Sequence, residues 1–243
     1  MKTLIKKQIV LVFASFLITT ASFAQWGKSI KGDGNITTIT RSTDSYDEIK
    51  CAGSMDFILV SGTEGNIKIE GEENLLKYII TEVKNNTLKV RVKKGVSLRS
   101  SRNKTIKITI PFEDISDVSL AGSGDLWNKD VITATNLDVS LAGSGDIVLN
   151  IKTTSVEGSI AGSGDLTLKG STNNLEAKVA GSGDFHGFGL QSNNTEVSVA
   201  GSGDAQVVSI QNLKARVAGS GDIVYKGNPT TDTKVAGSGS ISN

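Results

Sequence analysis

From Asp117 onward, apolar and polar positions alternate with a period of two on both sides of a recurring five-residue segment. Immediately before each copy stands Leu120, Leu141, Ile160, Val179, Val199, Val217 or Val235. Two residues earlier come Val118, Val139, Gly158, Ala177, Val197, Ala215 and Thr233, mostly small or apolar. The positions between are polar: Ser119, Ser140, Ser159, Lys178, Ser198, Arg216 and Lys234. After each copy the apolar side returns with Leu126, Ile147, Leu166, Phe185, Ala205 and Ile223. Such alternation, carried by Leu and β-branched residues, predicts half-buried strands on either side of each segment.

The segment is Ala-Gly-Ser-Gly-Asp. It begins at Ala121, Ala142, Ala161, Ala180, Ala200 and Ala218, and a seventh copy at Ala236 ends in Ser240. The spacings are 21, 19, 19, 20, 18 and 18 residues, and fourteen of the 27 glycines fall in these copies. Helix is excluded, because two glycines per repeat would each cost about 1 kcal/mol inside one. Strand, glycine corner, strand and variable polar loop fit instead. A repeat this short must stack on itself to bury its apolar face. The prediction is an all-β solenoid, a parallel β-helix of about 19 residues per coil, with coils about 4.8 Å apart. Gly at the corner lets successive backbones approach closely. The corner Asp is expected to accept backbone N–H groups in an Asx-type turn, and the serines to stack as a hydroxyl ladder.

Ahead of the regular array the pattern degenerates. Cys51-Ala52-Gly53-Ser54-Met55-Asp56-Phe57 reads as one imperfect copy and Ile30-Lys31-Gly32-Asp33-Gly34-Asn35-Ile36 as another, 21 residues earlier. Cys51 then takes an inward apolar position and is expected to be inert. Between the copy at Cys51 and the array, Phe57–Val60, Ile67–Ile69, Leu88–Val92 and Ile106–Ile110 read as strands, Glu72–Tyr78 as a short helix, and Gly65-Asn66, Asn85-Asn86 and Asn103 as turns. Basic residues at 93–104 read as a solvated loop. Residues 25–118 are thus expected to be a divergent β-rich part, and 119–243 the regular repeat.

Residues 1–24 have the layout of a secretory signal peptide. Lys2, Lys6 and Lys7 precede an apolar run from Ile9 to Ala21, and Ser22-Phe23-Ala24 offers small residues for cleavage before Gln25. Export follows as an expectation, to periplasm, cell surface or medium. Beyond residue 24 there remain 23 basic and 25 acidic residues, a net charge of −2. That balance argues against nucleic-acid binding and against a polybasic membrane-surface protein. One cysteine excludes an internal disulfide framework, and one histidine excludes multi-histidine zinc centres.

An ordered set of residues carries a likeness. Arg41, Tyr46-Asp47-Glu48-Ile49, Val60-Ser61-Gly62, Ile69-Glu70-Gly71-Glu72-Glu73-Asn74-Leu75-Leu76, Thr87-Leu88-Lys89-Val90 and Ile110-Pro111, followed by the repeats, resemble the bacterial auto-transporter adhesin family with a head GIN domain. The resemblance covers nearly all of the chain after residue 24. It implies a right-handed β-helix-like fold, export and an adhesin-type role, and brings no catalytic residues with it. No C-terminal membrane barrel of about ten-residue alternating strands follows the repeats, so autotransport in the strict sense is not expected.

Three classes of chemistry compete. The first is the acidic ladder Asp125, Asp146, Asp165, Asp184, Asp204 and Asp222. Stacked in register, neighbouring carboxylates would repel by about 3.5 kcal/mol at an effective dielectric near 20, before screening. Turn N–H groups, outward splay, protonation or cations must compensate. Hydrogen-bonded corners are expected, with calcium, which takes carboxylate oxygens, as the alternative. A β-helix carbohydrate-active enzyme is the second class, but no unique off-pattern pair of acids stands out. The lone His186 falls on a side wall, where other coils have Trp127, Val148, Thr167, Gln206 and Val224. The third is a binding or structural module meeting a protein or glycan partner through side walls and the polar segments at 128–130, 150–152, 171–174, 191–194 and 228–231. Of the three, the non-catalytic adhesin-like or structural module is the reading adopted, with no cofactor. An open β edge at Ile241-Ser242-Asn243 further suggests self-association.

Overall fold

The computed structural model describes residues 28–243, so the expected signal peptide at 1–24 lies outside the described residues. The repeats form a parallel solenoid. Ala121, Ala142, Ala161, Ala180, Ala200, Ala218 and Ala236 pair successively in register, each rung directly on its predecessor. Apolar columns fill the shared interior: Val179, Val199 and Val217 are only 2%, 1% and 3% exposed, and Leu126, Ile147, Leu166, Phe185, Ala205 and Ile223 are buried beside them. The alternation therefore sorts side chains as the pattern predicts, with inward positions bearing the hydrophobic stabilisation.

Close backbone stacking explains the glycines. Gly162 has φ 135°, a region that side-chain-bearing residues avoid. A Cβ on Gly164 would lie 1.9 Å from the carbonyl oxygen of Gly145 one rung below. That carbonyl-dense corner is tied together by Ser163 N–H and Gly164 N–H, which both donate to the Gly143 carbonyl at 2.8 and 3.1 Å. The corner serine hydroxyls face solvent, and no hydrogen bond joins one to the next among the described residues.

The polar segments between corners are mostly not loops. Strands Ile147–Gly162, Leu166–Gly181 and Phe185–Gly201 run unbroken through them. With so few residues per turn the return path must also hydrogen-bond to its neighbours. Some of its polar side chains even point inward: Thr172, Ser192 and Thr195 are buried. The Ser192 hydroxyl meets the Val208 carbonyl at 2.7 Å, and Thr172 donates to the Asn174 carbonyl at 3.1 Å.

The copy at Cys51 is the first full rung. Glu48–Gly53 and Asp56–Ser61 pair in parallel with Asp117–Gly122 and Leu126–Asn128, setting Ala52 under Ala121 and Phe57 under Leu126. The chain between them descends to build the base. Thr87–Val92 and Lys107–Phe112 continue the parallel stack downward. Ile36–Ser42, Asn66–Glu72 and Ile79–Lys84 close it with antiparallel pairings. The hairpin of Ile79–Lys84 and Thr87–Val92 turns on Asn85 and Asn86, both with positive φ (52° and 56°), the signature of a two-residue type I′ loop. Asn66–Glu72 leads into a one-turn helix, Glu73–Leu76, whose Leu76 carbonyl accepts the Arg41 guanidinium at 2.7 Å.

The segment Ile30–Ile36 is not a rung. Lys28–Lys31 pairs with Val96–Arg99 in a separate two-stranded sheet, and Ile36–Ser42 runs antiparallel on Asn66–Glu72. Its glycines serve another close approach: a Cβ on Gly32 would fall 2.1 Å from the Glu72 carboxylate. That buried carboxylate accepts Gly34 N–H at 2.6 Å, Ser101 N–H at 2.7 Å and the Ser101 hydroxyl at 2.6 Å. It latches three segments together. At the opposite end of the stack Thr230–Gly237 is exposed at every position, including Val235 at 41%.

Candidate functional site

The face leading into each corner carries three columns of polar side chains, one rung apart. Four residues before each corner alanine stand Glu48, Asp117, Asp138, Glu157, Glu176, Glu196, Lys214 and Asp232, paired in register through the stack. The sequence reading passed over this acidic column, although counting back from each alanine finds it. Two residues nearer the corner, cations interrupt a serine column. Lys178 lies 2.8 Å from Glu157 and 2.6 Å from Glu176, and Lys50 sits 3.0 Å from Glu48 and 3.8 Å from Asp117. Alternating signs along one face offset the repulsion within the acidic column, although solvent screens each exposed pair.

On the far side of the acids runs an amide and hydroxyl column: Asn136, Ser155, Asn174, Asn194, Asn212 and Thr230. The Asn194 amide donates to Asn174 Oδ1 at 3.1 Å, and Asn212 to Asn194 Oδ1 at 2.8 Å. Between these columns lies an open groove of about 650 Å³ that crosses six rungs; beneath it Leu137, Val156, Leu175, Thr195 and Leu213 turn inward and are buried, which leaves strand backbone as the floor. Its walls are amide and acid, its floor strand backbone, and its length follows the solenoid axis.

Past each corner, the predicted acidic ladder is present and its hydrogen bonding is resolved. Each carboxylate accepts the backbone N–H of the corner residue one rung above. Asp125 receives Asp146 at 3.2 Å, Asp146 receives Asp165 at 3.0 Å, and Asp165 receives Asp184 at 2.9 Å. Asp184 receives Asp204, Asp204 receives Asp222, and Asp222 receives Ser240, each at 2.7 Å. The donors are thus inter-rung N–H groups, not those of an Asx turn within the same corner. Only Oδ1 is committed; Oδ2 of each remains available. The alternative, a calcium ladder, would have to use those second oxygens.

His186 sits on the wall beside this ladder, its Nε2 3.7 Å from Asp165 Oδ2. Trp127, Val148, Thr167, Gln206 and Val224 align with it along the same column.

The groups with displaced acidity lie at structural joints. Burial pushes the Cys51 thiol well above its ordinary range, in keeping with an inert core cysteine. Burial, reinforced by Glu64, likewise raises Tyr46, whose hydroxyl donates to the Pro111 carbonyl. Burial lifts the Asp117 carboxyl, while hydrogen bonds from Lys50 and Thr87 lower that of Glu48. Glu72 is held below the usual carboxylate range chiefly by the Ser101 hydroxyl. Among the described residues, no helix is long and apolar enough to cross a membrane.

Comparison with known proteins agrees with this architecture. The family model described as "Putative auto-transporter adhesin, head GIN domain" matches residues 45–229. A crystal structure of a putative adhesin from Bacteroides fragilis is 25% identical, with a TM-score of 0.81, over 88% of this chain and 99% of that one. Two proteins from Parabacteroides distasonis cover the same shares. One, described as a putative lipid binding protein, is 30% identical with a TM-score of 0.73. The other, described as a putative adhesin, is 26% identical with a TM-score of 0.72. A search of curated proteins found no match.

Proposed function

The chain belongs to the auto-transporter adhesin head GIN domain family, and from that membership we propose that it is an exported, non-catalytic adhesin-like module of the bacterial envelope that holds an extended glycan along its axial groove. The groove itself carries the reading. Six rungs present polar side chains about 4.8 Å apart, acids on one side save for Lys214, a track of about 24 Å. Asn, Ser and Thr offer donors and acceptors to hydroxyl groups on one side, and the acidic column offers acceptors on the other. A polymer repeating on the scale of one or two rungs could engage many weak, equivalent contacts, and their sum sets its affinity.

Absence of catalysis is supported by the way the groove acids are engaged. Hydrolysis of a glycoside needs two carboxylates in distinct environments, one of them raised in pKa. Glu157 and Glu176 share Lys178, Glu196 meets Lys214, and Asp232 is held low by Arg216, while the displaced groups Cys51, Tyr46, Glu48, Glu72 and Asp117 are engaged in the core, the latch and the ion-paired wall. Export is supported by the signal-like sequence before Gln25 and by the adhesin family.

The test is retention of the purified protein on a panel of immobilised linear glycans, repeated with Asn194→Arg, which plants a bulky cation in the middle of the track. Retention of at least one glycan, reduced tenfold or more in the variant at unchanged melting temperature, is the expected result. A panel that retains nothing, or retention indifferent to Asn194→Arg, defeats the reading. Protease accessibility on whole cells then tests surface exposure.

A further inference from the structure

A solenoid provides its own internal control, because every rung faces the same folding demands at equivalent positions. Two residues after the corner Asp, the wall tolerates Trp127, Val148, Thr167, Gln206 and Val224, so nothing in the stacking calls for an imidazole there. Yet the only histidine of the chain occupies this position in one rung, His186. Immediately after it the strand bulges. His186 pairs with Thr167 and Gly189 with Lys169, so Gly187 and Phe188 together oppose Leu168. The rung is correspondingly 20 residues long where the two before it have 19. Bulges re-aim the side chains next to them, and here the neighbour is the imidazole.

The imidazole lies over two carboxylates that are already fixed. Asp165 Oδ1 is held by the Asp184 N–H at 2.9 Å and Asp184 Oδ1 by the Asp204 N–H at 2.7 Å, which leaves one free oxygen on each. One ligand atom from each of Asp165, Asp184 and His186 falls within a cluster where all pairs are 4.8 Å or less apart. His186 Nε2 and Asp165 Oδ2, at 3.7 Å, lie just outside the roughly 3.3–3.6 Å that separates two tetrahedral ligands on one ion with bonds of about 2.0–2.2 Å. Small rotations of these half-exposed side chains bring the third into range.

We propose that Asp165, Asp184 and His186 form a binding site for a divalent transition-metal ion. One imidazole nitrogen and two carboxylate oxygens suit zinc, nickel, cobalt or manganese, whereas calcium and magnesium prefer an all-oxygen shell. The ion enters from solvent, neutralises two stacked carboxylates, and keeps open coordination positions directed outward. The site lies past the glycine corner, on a different wall from the axial groove, so it stands or falls independently of glycan binding.

Zinc chloride titrated calorimetrically into the untagged protein tests the assignment, with calcium chloride as the comparison. One zinc per chain is expected, weakened at least tenfold in H186Q and in D184N, with calcium giving no binding that H186Q alters. Both variants keep the fold in principle: glutamine already stands at position 206, and asparagine retains the Oδ1 that accepts the Asp204 N–H. Unchanged thermal melts verify this. The single imidazole gives a second readout, its proton resonances shifting with zinc in the wild type. Zinc that fails to bind, binds H186Q equally well, or leaves the imidazole resonances unmoved at saturation overturns the site.

Discussion

Phe185 fills the space that Gly158 vacates: a Cβ on Gly158 would lie 3.1 Å from Phe185 Cε2 and 3.1 Å from Leu166 Cδ2. The inward column at this position otherwise holds Val139, Ala177 and Val197, so the exchange of volume is local to two rungs. Gly158→Val is expected to destabilise by about 1–3 kcal/mol through overpacking. Phe185→Leu, costly alone, should return part of that loss when combined with it. Urea denaturation of the two single variants and the double variant measures this coupling; strict additivity would contradict it.

The corner glycines allow a sharper contrast. Gly164→Ala would drive a methyl group into the Gly145 carbonyl below, and the rungs would have to part. A loss of about 3 kcal/mol or more is expected, at the upper end of overpacking costs. Ser163→Ala, between the two glycines but facing solvent, should stay within about 0.5 kcal/mol of wild type. Thermal melts of both variants decide.

For the acidic ladder, the hydrogen bond from the rung above predicts different outcomes for two substitutions at Asp204. Asparagine keeps an oxygen for the Asp222 N–H and should be nearly neutral. Alanine removes the acceptor and should cost about 1 kcal/mol. Equal losses for Asp204→Asn and Asp204→Ala would instead assign the effect to charge.

Acid sensitivity should trace to the latch at the base. The Ser101 hydroxyl and N–H and the Gly34 N–H favour the charged form of Glu72, so its pKa is lowered on folding. Its contribution is complete above the unfolded carboxylate value of about 4.3 and is lost as pH falls through the lower folded value. Melting temperature followed from pH 7 to pH 2 should show a flatter acid limb in Glu72→Gln than in wild type. Parallel curves would place the acid sensitivity elsewhere.

The rungs were legible because one physical requirement, backbone on backbone at the corner, recurs often enough to be counted. The same signal misleads at Gly32, where glycine makes room for a carboxylate and not for another rung. Polarity misleads in the return segments, since Thr172, Ser192 and Thr195 are buried with their hydroxyls paired inside a continuous strand. The acidic column was hidden for a different reason. Glu48, Asp117 and Glu157 vary in type and lie outside the conspicuous pentapeptide, and only parallel register lines them up. His186 was visible as a singular residue, but its proximity to Asp165 and Asp184 depends on rung-to-rung stacking.

The descent from Ser61 to Asp117 also sets an order of assembly. Rungs above Asp117 meet neighbours 18–21 residues away, whereas Ala52 must find Ala121 across 69 residues. Closing that longer loop costs roughly 1 kcal/mol more chain entropy. Local pairings are the faster to form, so the upper array and the hairpin of Ile79–Lys84 with Thr87–Val92 can each form early, and the joining of base to array through Ala52 and Ala121 comes after both.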